Sequence, residues 1–333
     1  MAEQKVSIVL PVRNEAKTIQ KVLDGLLRQE YEDIEIIVID GMSTDETRNI
    51  VQRYVGRFPE KVKLIENEKV YTPSGLNIGI RNSSGEYVMI ASGHASYSKN
   101  YIKECVKAIE SSECDIAGGV VEVLPRSESK KALAIAEILK HPFGIGGARY
   151  KLGAVEKTYV DTVAYGVYKR EVFEKVGLFN ENLIRNQDIE FNLRLKGSGY
   201  RIMLIPQARA YYFARDKYKE LWKNNFSNGF WVTYSKKFAE NPYRLRHLIP
   251  LFFVVYLITL FAFILFFDDF LKVIFSIPLI LYFVLNILSS FGISLNHKDF
   301  SLFFYALIGF LTLHISYGIG SLFGIFKFLK DKK

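Results

Sequence analysis

A chain of 333 residues and 38.3 kDa is long enough for two domains and too long for a small scaffold that depends on disulfides or metal for its stability. Its 44 basic against 35 acidic residues give a net charge of +9, an excess that by itself suggests nucleic acid as a partner. The distribution of charge excludes that reading, because the 86 residues after His247 hold only 10 charged side chains but 17 of the 26 Phe. A water-soluble region is followed by one suited to lipid, and no nucleic-acid partner is expected.

In chain order, Val6 to Val12 is a short β-rich run, and Ala16 to Gln29 carries Ile19, Val22, Leu23, Leu26 and Leu27 on one helical face. The run Ile34 to Asp40 reads as a second, buried strand. Ser43 or Thr44 is then placed to cap a helix with Glu46 and Thr47 in its first turn. Further strands are predicted over 62–65, 87–91 and 116–124, with helices over 74–81 and 99–111. Strands alternating with helices predict an α/β fold with a mostly parallel sheet, in which ligands bind beyond the carboxyl ends of the strands. The candidate residues are therefore Arg13 to Glu15, Asp40 to Asp45 and Ser92 to His94. No Gly-x-Gly-x-x-Gly follows the first strand, which argues against a nicotinamide dinucleotide, whereas Asp40 suits a nucleoside. Cys105 and Cys114 are expected to be reduced and structural.

Ser7-Ile-Val-Leu-Pro-Val-Arg-Asn-Glu15, Val38-Ile-Asp-Gly-Met-Ser-Thr-Asp45, Pro73-Ser-Gly-Leu-Asn-Ile-Gly-Ile-Arg-Asn82, Val160-Asp-Thr-Val-Ala-Tyr-Gly166, Arg170-Glu-Val-Phe-Glu-Lys-Val-Gly177 and Asn186-Gln-Asp-Ile-Glu-Phe-Asn192 occur in that order. With them the chain, from about Val6 to Trp231, resembles the family 2 glycosyltransferases of the GT-A fold, most nearly the succinoglycan-biosynthesis-type glucosyltransferase branch. The resemblance implies a Rossmann-like nucleotide-diphospho-sugar transferase domain over 1–215. In it, Asp40 accepts a hydrogen bond from a nucleobase ring N–H, and Pro11, Arg13, Asn14, Glu15, Gly41, Ser43 and Ser92 line the nucleotide-sugar pocket. Gly75 and Asn77 approach the ribose and diphosphate, a missing Cβ allowing close backbone contact. A turn cap is the plainer use of Asp40, and an ordinary helix-face position that of Asn77.

The family's fourth strand ends in Asp-x-Asp or Asp-x-His, which holds Mg²⁺ or Mn²⁺ on the diphosphate. Here Ile90-Ala-Ser-Gly-His94 puts Ser92 in place of the carboxylate and leaves His94 as the metal or diphosphate ligand. Hard cations prefer charged oxygen, so the resemblance alone carries the metal. Asp188 aligns with the family's catalytic base, with Gln187 where Glu often stands. An inverting transfer needs that one carboxylate and no second one for a covalent intermediate. Glu190 reads as a surface or supporting group. Arg215 is a candidate to neutralise the departing diphosphate, or a contact to surface or lipid phosphate.

The segment 216–247 is basic and aromatic (Lys219, Trp222, Lys223, Phe226, Trp231, Lys236), a pattern that suits a membrane interface. Beyond it, 248–333 is expected to be an all-α transmembrane domain with helices at 248–267, 273–295 and 302–326, each meeting the ~20 residues that a crossing needs. Orientation poses a conflict, because Lys236, Lys237, Arg244 and Arg246 mark one cytoplasmic end, and Lys327, Lys330, Lys332 and Lys333 mark another. Three crossings cannot satisfy both. Either the tail is outside, or one segment is re-entrant or lies in the interface. Gly309, Gly318, Gly320 and Gly324 suit close helix packing or a re-entrant break. Met1 to Lys5 contains Glu3, and the apolar run that follows is too short for a signal peptide, so the N-terminal part is expected in the cytoplasm, attached to the cell membrane.

Together these features predict a membrane-anchored inverting glycosyltransferase. It would move a sugar from a nucleoside-diphosphate donor to a lipid-linked, polyprenyl-type acceptor in cell-surface polysaccharide or glycoconjugate synthesis. A polyprenyl-phosphate sugar synthase and a non-catalytic sugar-nucleotide-binding membrane subunit are the alternatives.

Overall fold

The computed structural model describes residues 4–240, 242–266 and 269–332. Met1 to Glu3, Phe267 at the end of the first apolar segment and Lys333 in the basic tail lie outside the described residues. The elements run β1 Val6–Val12, α1 Ile19–Leu27, β2 Ile34–Asp40, α2 Thr47–Arg57, β3 Val62–Glu66, α3 Thr72–Arg81, β4 Tyr87–Ile90, β5 Ala95–Tyr97, α4 Tyr101–Glu110 and β6 Ile116–Pro125. There follow α5 Lys130–Ile138, α6 Pro142–Ile145, α7 Arg149–Leu152, β7 Thr158–Tyr159, β8 Val167–Lys169, α8 Glu171–Val176, α9 Gln187–Gly197, β9 Ile202–Ala214, α10 Tyr218–Tyr234, α11 Ile249–Phe266, α12 Asp269–Asn296 and α13 Ser301–Lys332.

The chain forms two compact units, Met1–Glu122 with Arg149–Tyr212, and Val123–Ala148 with Phe213–Lys333. The sequence reading draws boundaries after 215 and 247. The structure also assigns the inserted stretch Val123–Ala148 to the second unit, because β6 and β9 each run across the division.

In the first unit the sheet order is β3-β2-β1-β4-β8-β6-β9-β5, with β7 on β9. The first four strands are parallel, as the alternation predicts. The expectation of a mostly parallel sheet is corrected beyond them: β4–β8, β8–β6, β5–β9 and β7–β9 are antiparallel. The strands β7 and β8 are two and three residues long, too short to leave a periodic signal. Val6, Ile8 and Leu10 pack on one face of the sheet with Ile19, Leu23 and Leu26 of α1, and Val9, Ile37 and Ile39 pack on the other with Leu76 and Ile80 of α3. At the amino ends of the strands, Glu35 accepts hydrogen bonds from Ser7 Oγ (2.7 Å) and from the Ser84 N–H (2.6 Å) and hydroxyl (2.8 Å), which ties β1, β2 and the entry to β4 together. The opposite ends are left for the site. Cys105 and Cys114 are buried free thiols, and burial pushes the Cys114 thiol up to about 12.

In the second unit three helices are long and apolar enough to cross a membrane. Several of their polar side chains face inward: His314 Nε2 lies 2.9 Å from the Phe143 carbonyl and Nδ1 3.1 Å from the Tyr282 hydroxyl, and Asn286 donates to the Leu307 carbonyl. The glycines of the last segment serve close packing. A Cβ on Gly318 would stand 2.1 Å from the Pro250 carbonyl oxygen, and one on Gly320 would stand 2.0 Å from that of Phe226. Among the described residues α13 is one continuous helix of 32 residues, so the glycines break nothing.

Candidate active site

The site is built at the carboxyl ends of β1, β2 and β4, where a parallel sheet leaves its loops free to shape a pocket. The turn after β1 and the loop after β2 hold each other. The Asn14 N–H donates to Ser43 Oγ (2.9 Å), Thr44 N–H donates to Asn14 Oδ1 (2.8 Å), and the Glu15 N–H donates to Thr47 Oγ1 (2.7 Å). Ser43 and Thr44 therefore brace the β1 turn and do not cap α2. Their predicted capping role is corrected: the residue before α2 is Glu46, which makes no side-chain cap, and Asp45 Oδ1 accepts from the Thr47 N–H instead. Asn14 and Met42 have φ of +56° and +57°, a left-handed backbone that asparagine tolerates and methionine rarely adopts.

Asp40 ends β2 with its carboxylate buried. Oδ2 accepts from the Ser43 N–H at 3.2 Å, and Oδ1 is the only buried side-chain nitrogen or oxygen among the described residues with no hydrogen-bond partner. Burying such an acceptor unpaired costs about 1–3 kcal/mol, so the position needs a reason. Gly41 follows where a Cβ would meet the Val70 carbonyl oxygen at 2.7 Å, and a Cβ on Gly75 would lie 3.4 Å from Pro11 Cβ. The structure thus gathers Pro11, Asn14, Asp40, Gly41, Ser43 and Gly75 at one edge of the sheet. Arg13 stands exposed between β1 and Asn14.

Asn77 is directed elsewhere. Its amide donates to the Phe179 carbonyl (2.9 Å) and to Glu181 (3.0 Å), while its oxygen accepts from the Phe179 N–H (3.0 Å), so it anchors α3 to the loop after α8. Arg215 falls in the second unit, whereas the other candidates fall in the first.

After β4, Ser92 Oγ lies 3.4 Å from the His94 ring, and His94 Nδ1 lies 2.9 Å from Glu15 Oε1. Gly93 sits so close to Glu15 that a Cβ would be 3.0 Å from its Cγ. The carboxylate of Glu15, in the turn after β1, is thereby brought to the end of β4. The His94 ring makes an edge contact with Tyr212 at 6.1 Å, and Lys151 of α7 lies over the Tyr212 and Tyr150 rings. Lys151 and Asp188 interact electrostatically, which connects this group to the start of α9.

There, Asn186 takes φ of +60° and directs α9 to begin at Gln187, with Asp188 in its first turn. Protein surrounds Asp188, yet its side chain is solvent-exposed. That enclosure raises its pKa above the ordinary aspartate value, opposed by the backbone N–H groups of Ile189 and of Asp188 itself and by the charge of Lys151. Enclosure likewise lowers the pKa of Lys151, opposed by Asp188. Glu190 points away and is buried, held by Arg194 through Nε (2.8 Å) and Nη2 (3.2 Å), while Arg194 also donates to the carbonyls of Val176 and Leu178. Tyr165, at φ of +56°, is a strained residue beside Asp188 inside the segment Val160 to Gly166. Lys151, Tyr150 and Tyr212 escaped sequence reasoning. Nothing in Arg149–Leu152 marks it, since only the return of the chain from the second unit brings α7 to this place.

The family profile described as glycosyl transferase family 2 matches residues 7–177, more than half of the chain. The chain belongs to glycosyl transferase family 2. It is 30% identical over 231 residues to a Methanococcus voltae dolichyl N-acetyl-alpha-D-glucosaminyl phosphate 3-beta-D-2,3-diacetamido-2,3-dideoxy-beta-D-glucuronosyltransferase, covering 67% of this chain and 71% of the relative. It is 27% identical over 226 residues to the succinoglycan biosynthesis protein ExoA of Rhizobium meliloti, covering 67% of each. Among solved structures, a mannosyltransferase from Pyrobaculum calidifontis in complex with GDP-Man and Mn²⁺ superposes with a TM-score of 0.64 at 18% identity, covering 100% of this chain and 89% of that one. This family 2 glycosyltransferase has the GT-A fold, followed by apolar helices.

Proposed function

We propose that this family 2 glycosyltransferase is a membrane-anchored inverting enzyme. It transfers a sugar from a nucleoside diphosphate to a lipid-linked acceptor at the cytoplasmic face of the cell membrane, with Asp188 as the base. The observation that carries the reading is Asp188 itself, a solvent-reaching carboxylate whose enclosure raises its pKa, at the start of a helix whose other acid, Glu190, is tied to Arg194. One carboxylate free to take a proton and one locked in an ion pair suit direct displacement. The unpartnered Oδ1 of Asp40 supports a nucleoside donor, since a nucleobase ring N–H would satisfy it. The Methanococcus relative named for a dolichyl-phosphate-linked substrate supports a lipid-linked acceptor, and the three apolar helices support membrane anchoring.

The acceptor hydroxyl oxygen attacks the anomeric carbon on the face opposite the diphosphate. The new C–O bond forms as the bond to the phosphate oxygen breaks, the hydroxyl proton passes to Asp188, and the electron pair leaves with the nucleoside diphosphate. Lys151 favours the ionised, proton-accepting form of Asp188.

The residues at the end of β4 fit a divalent cation better than the sequence there suggests, because Glu15 adds the charged oxygen that Ser92 lacks beside His94. Glu15, His94 and Ser92 would hold Mg²⁺ or Mn²⁺, which supplies neutralisation of the diphosphate. The test is transfer of label from a panel of sugar nucleotides into lipid extracts, using membranes that carry the full chain and polyprenyl-linked acceptors. Asp188→Asn should lower kcat about 10²–10⁴-fold, the usual contribution of a general base, with donor binding retained. Transfer at the parent rate would overturn the assignment.

A further inference from the structure

The second unit speaks to the conflict between the two basic clusters. Besides its contacts with α11 and α12, helix α13 is flanked along its length by segments that do not belong in hydrocarbon. At its start, Asp299 pairs with Lys130 of α5 at 2.7 Å, and His297 lies 2.9 Å from Glu137. Next, Gly309 packs on Ile138, and His314 meets the Phe143 carbonyl. From there α10 lies alongside: Gly229 packs on the Tyr317 carbonyl, the Thr233 hydroxyl donates to the Ser321 carbonyl (2.7 Å), and Gly324 packs on Phe230. At the end, Asp331 accepts from the Tyr234 hydroxyl (2.6 Å) and pairs with Lys237 (2.9 Å).

Helix α10 cannot enter the bilayer core with its partner, since its 17 residues include Lys219, Glu220, Lys223, Asn224, Asn225 and Asn228. Charged side chains are strongly disfavoured at mid-membrane. If α13 crossed, α10 would have to cross beside it and carry Lys236 and Lys237 to the far side. The degree of enclosure separates α13 from its neighbours as well: 39% of its apolar stretch is buried inside the protein, against 6% for α12.

We infer that the chain crosses the bilayer twice, through α11 and α12, and that α13 lies along the cytoplasmic boundary with α5 and α10 on its aqueous side. Its occupant on the other side is the anionic cytoplasmic leaflet. Phe300, Phe304, Ile308, Phe323 and Phe326 are exposed near its two ends for acyl chains. A pocket of about 420 Å³ lined by Lys130, Lys131, Lys217, Asp216 and Tyr305 opens beside it, and its three lysines against one aspartate suit the leaflet's headgroup charge. An even number of crossings returns Lys327, Lys330 and Lys332 to the side of Lys236 and Lys237, and both basic clusters obey the positive-inside rule.

The test labels single-cysteine variants of the full chain, in sealed bacterial inner-membrane vesicles of known orientation, with a membrane-impermeant maleimide. Cys105 and Cys114 are buried, and the unmodified chain serves as the background. Asp269→Cys should label only from the periplasmic side, and Lys236→Cys, Lys298→Cys and Lys332→Cys only from the cytoplasmic side. Spin labels at Phe304→Cys and Phe326→Cys should report depths in the same, cytoplasmic leaflet. Labelling of Lys332→Cys from the periplasmic side, or depths in opposite leaflets, would overturn the inference. Neither readout depends on sugar transfer, so topology and activity are judged separately.

Discussion

Glu35 gives the most direct test of how the strands beneath the site are held. Its side chain is 1% exposed at the start of β2, and burial alone would raise its pKa. Hydrogen bonds from Ser7, the Ser84 N–H, Lys63 and the Ser84 hydroxyl outweigh burial and lower it from 4.5 to about 2. A carboxyl that ionises about 2.5 pH units lower in the fold than in the unfolded chain contributes roughly 3 kcal/mol at neutral pH, at about 1.4 kcal/mol per unit. The sign follows from the depressed value: the contribution is complete above about pH 4.5 and is lost as pH falls towards 2. Gln has the shape of the protonated acid, so Glu35→Gln should cost about the same 3 kcal/mol at pH 7. That corresponds to roughly 6–12 °C in melting temperature for a unit of this size. The assay is thermal unfolding of the full chain in detergent from pH 7 to 3, followed by tryptophan and tyrosine fluorescence. The variant should melt lower at pH 7 and converge on the parent in acid. Equal melting at pH 7, or parallel pH curves, would refute the reasoning.

The acid limb of the kcat–pH profile should lie above the ordinary aspartate range because enclosure raises the Asp188 pKa, and Lys151→Gln should move it to still higher pH by removing the opposing charge; an unmoved limb counts against Asp188 as the base. Asp40→Ala should raise the donor KM about 10–100-fold with a smaller effect on kcat, as expected for a lost hydrogen bond to a charged acceptor, measured with saturating lipid acceptor. Glu15→Gln should weaken Mn²⁺ binding, read by electron paramagnetic resonance, because it removes the charged oxygen beside His94. Gly320→Val should destabilise the second unit by at least about 1–3 kcal/mol, since its Cβ has no room against the Phe226 carbonyl, and a lower melting temperature in detergent is the readout.

Much of the proposed donor side was legible because it is local. Strands β1 and β2 are continuous apolar runs, α1 and α4 bury one face at helical spacing, and the polar residues that end the strands follow directly in sequence. Asp188 was legible through its motif. The roles of Asn77, Lys151 and Glu15 were not, since each depends on a partner about 60 to 100 positions away or more: Phe179 for Asn77, Tyr212 for Lys151 and His94 for Glu15. Short antiparallel strands such as β8 likewise have no periodicity to read and exist only through pairing with β4 and β6.

By itself the sequence determined the membership in family 2, the parallel half of the sheet, the catalytic carboxylate candidate and the division between a charged region and a lipid-suited one, because all of these are written in local pattern and composition. Tertiary structure decided which carboxylate stands beside His94, which acid at the start of α9 is free of an ion pair, and what the glycines of α13 touch. Those depend on side chains far apart in the chain meeting at contact distance, and on groups such as Asp40 being enclosed with or without a partner. No spacing rule along a sequence encodes that.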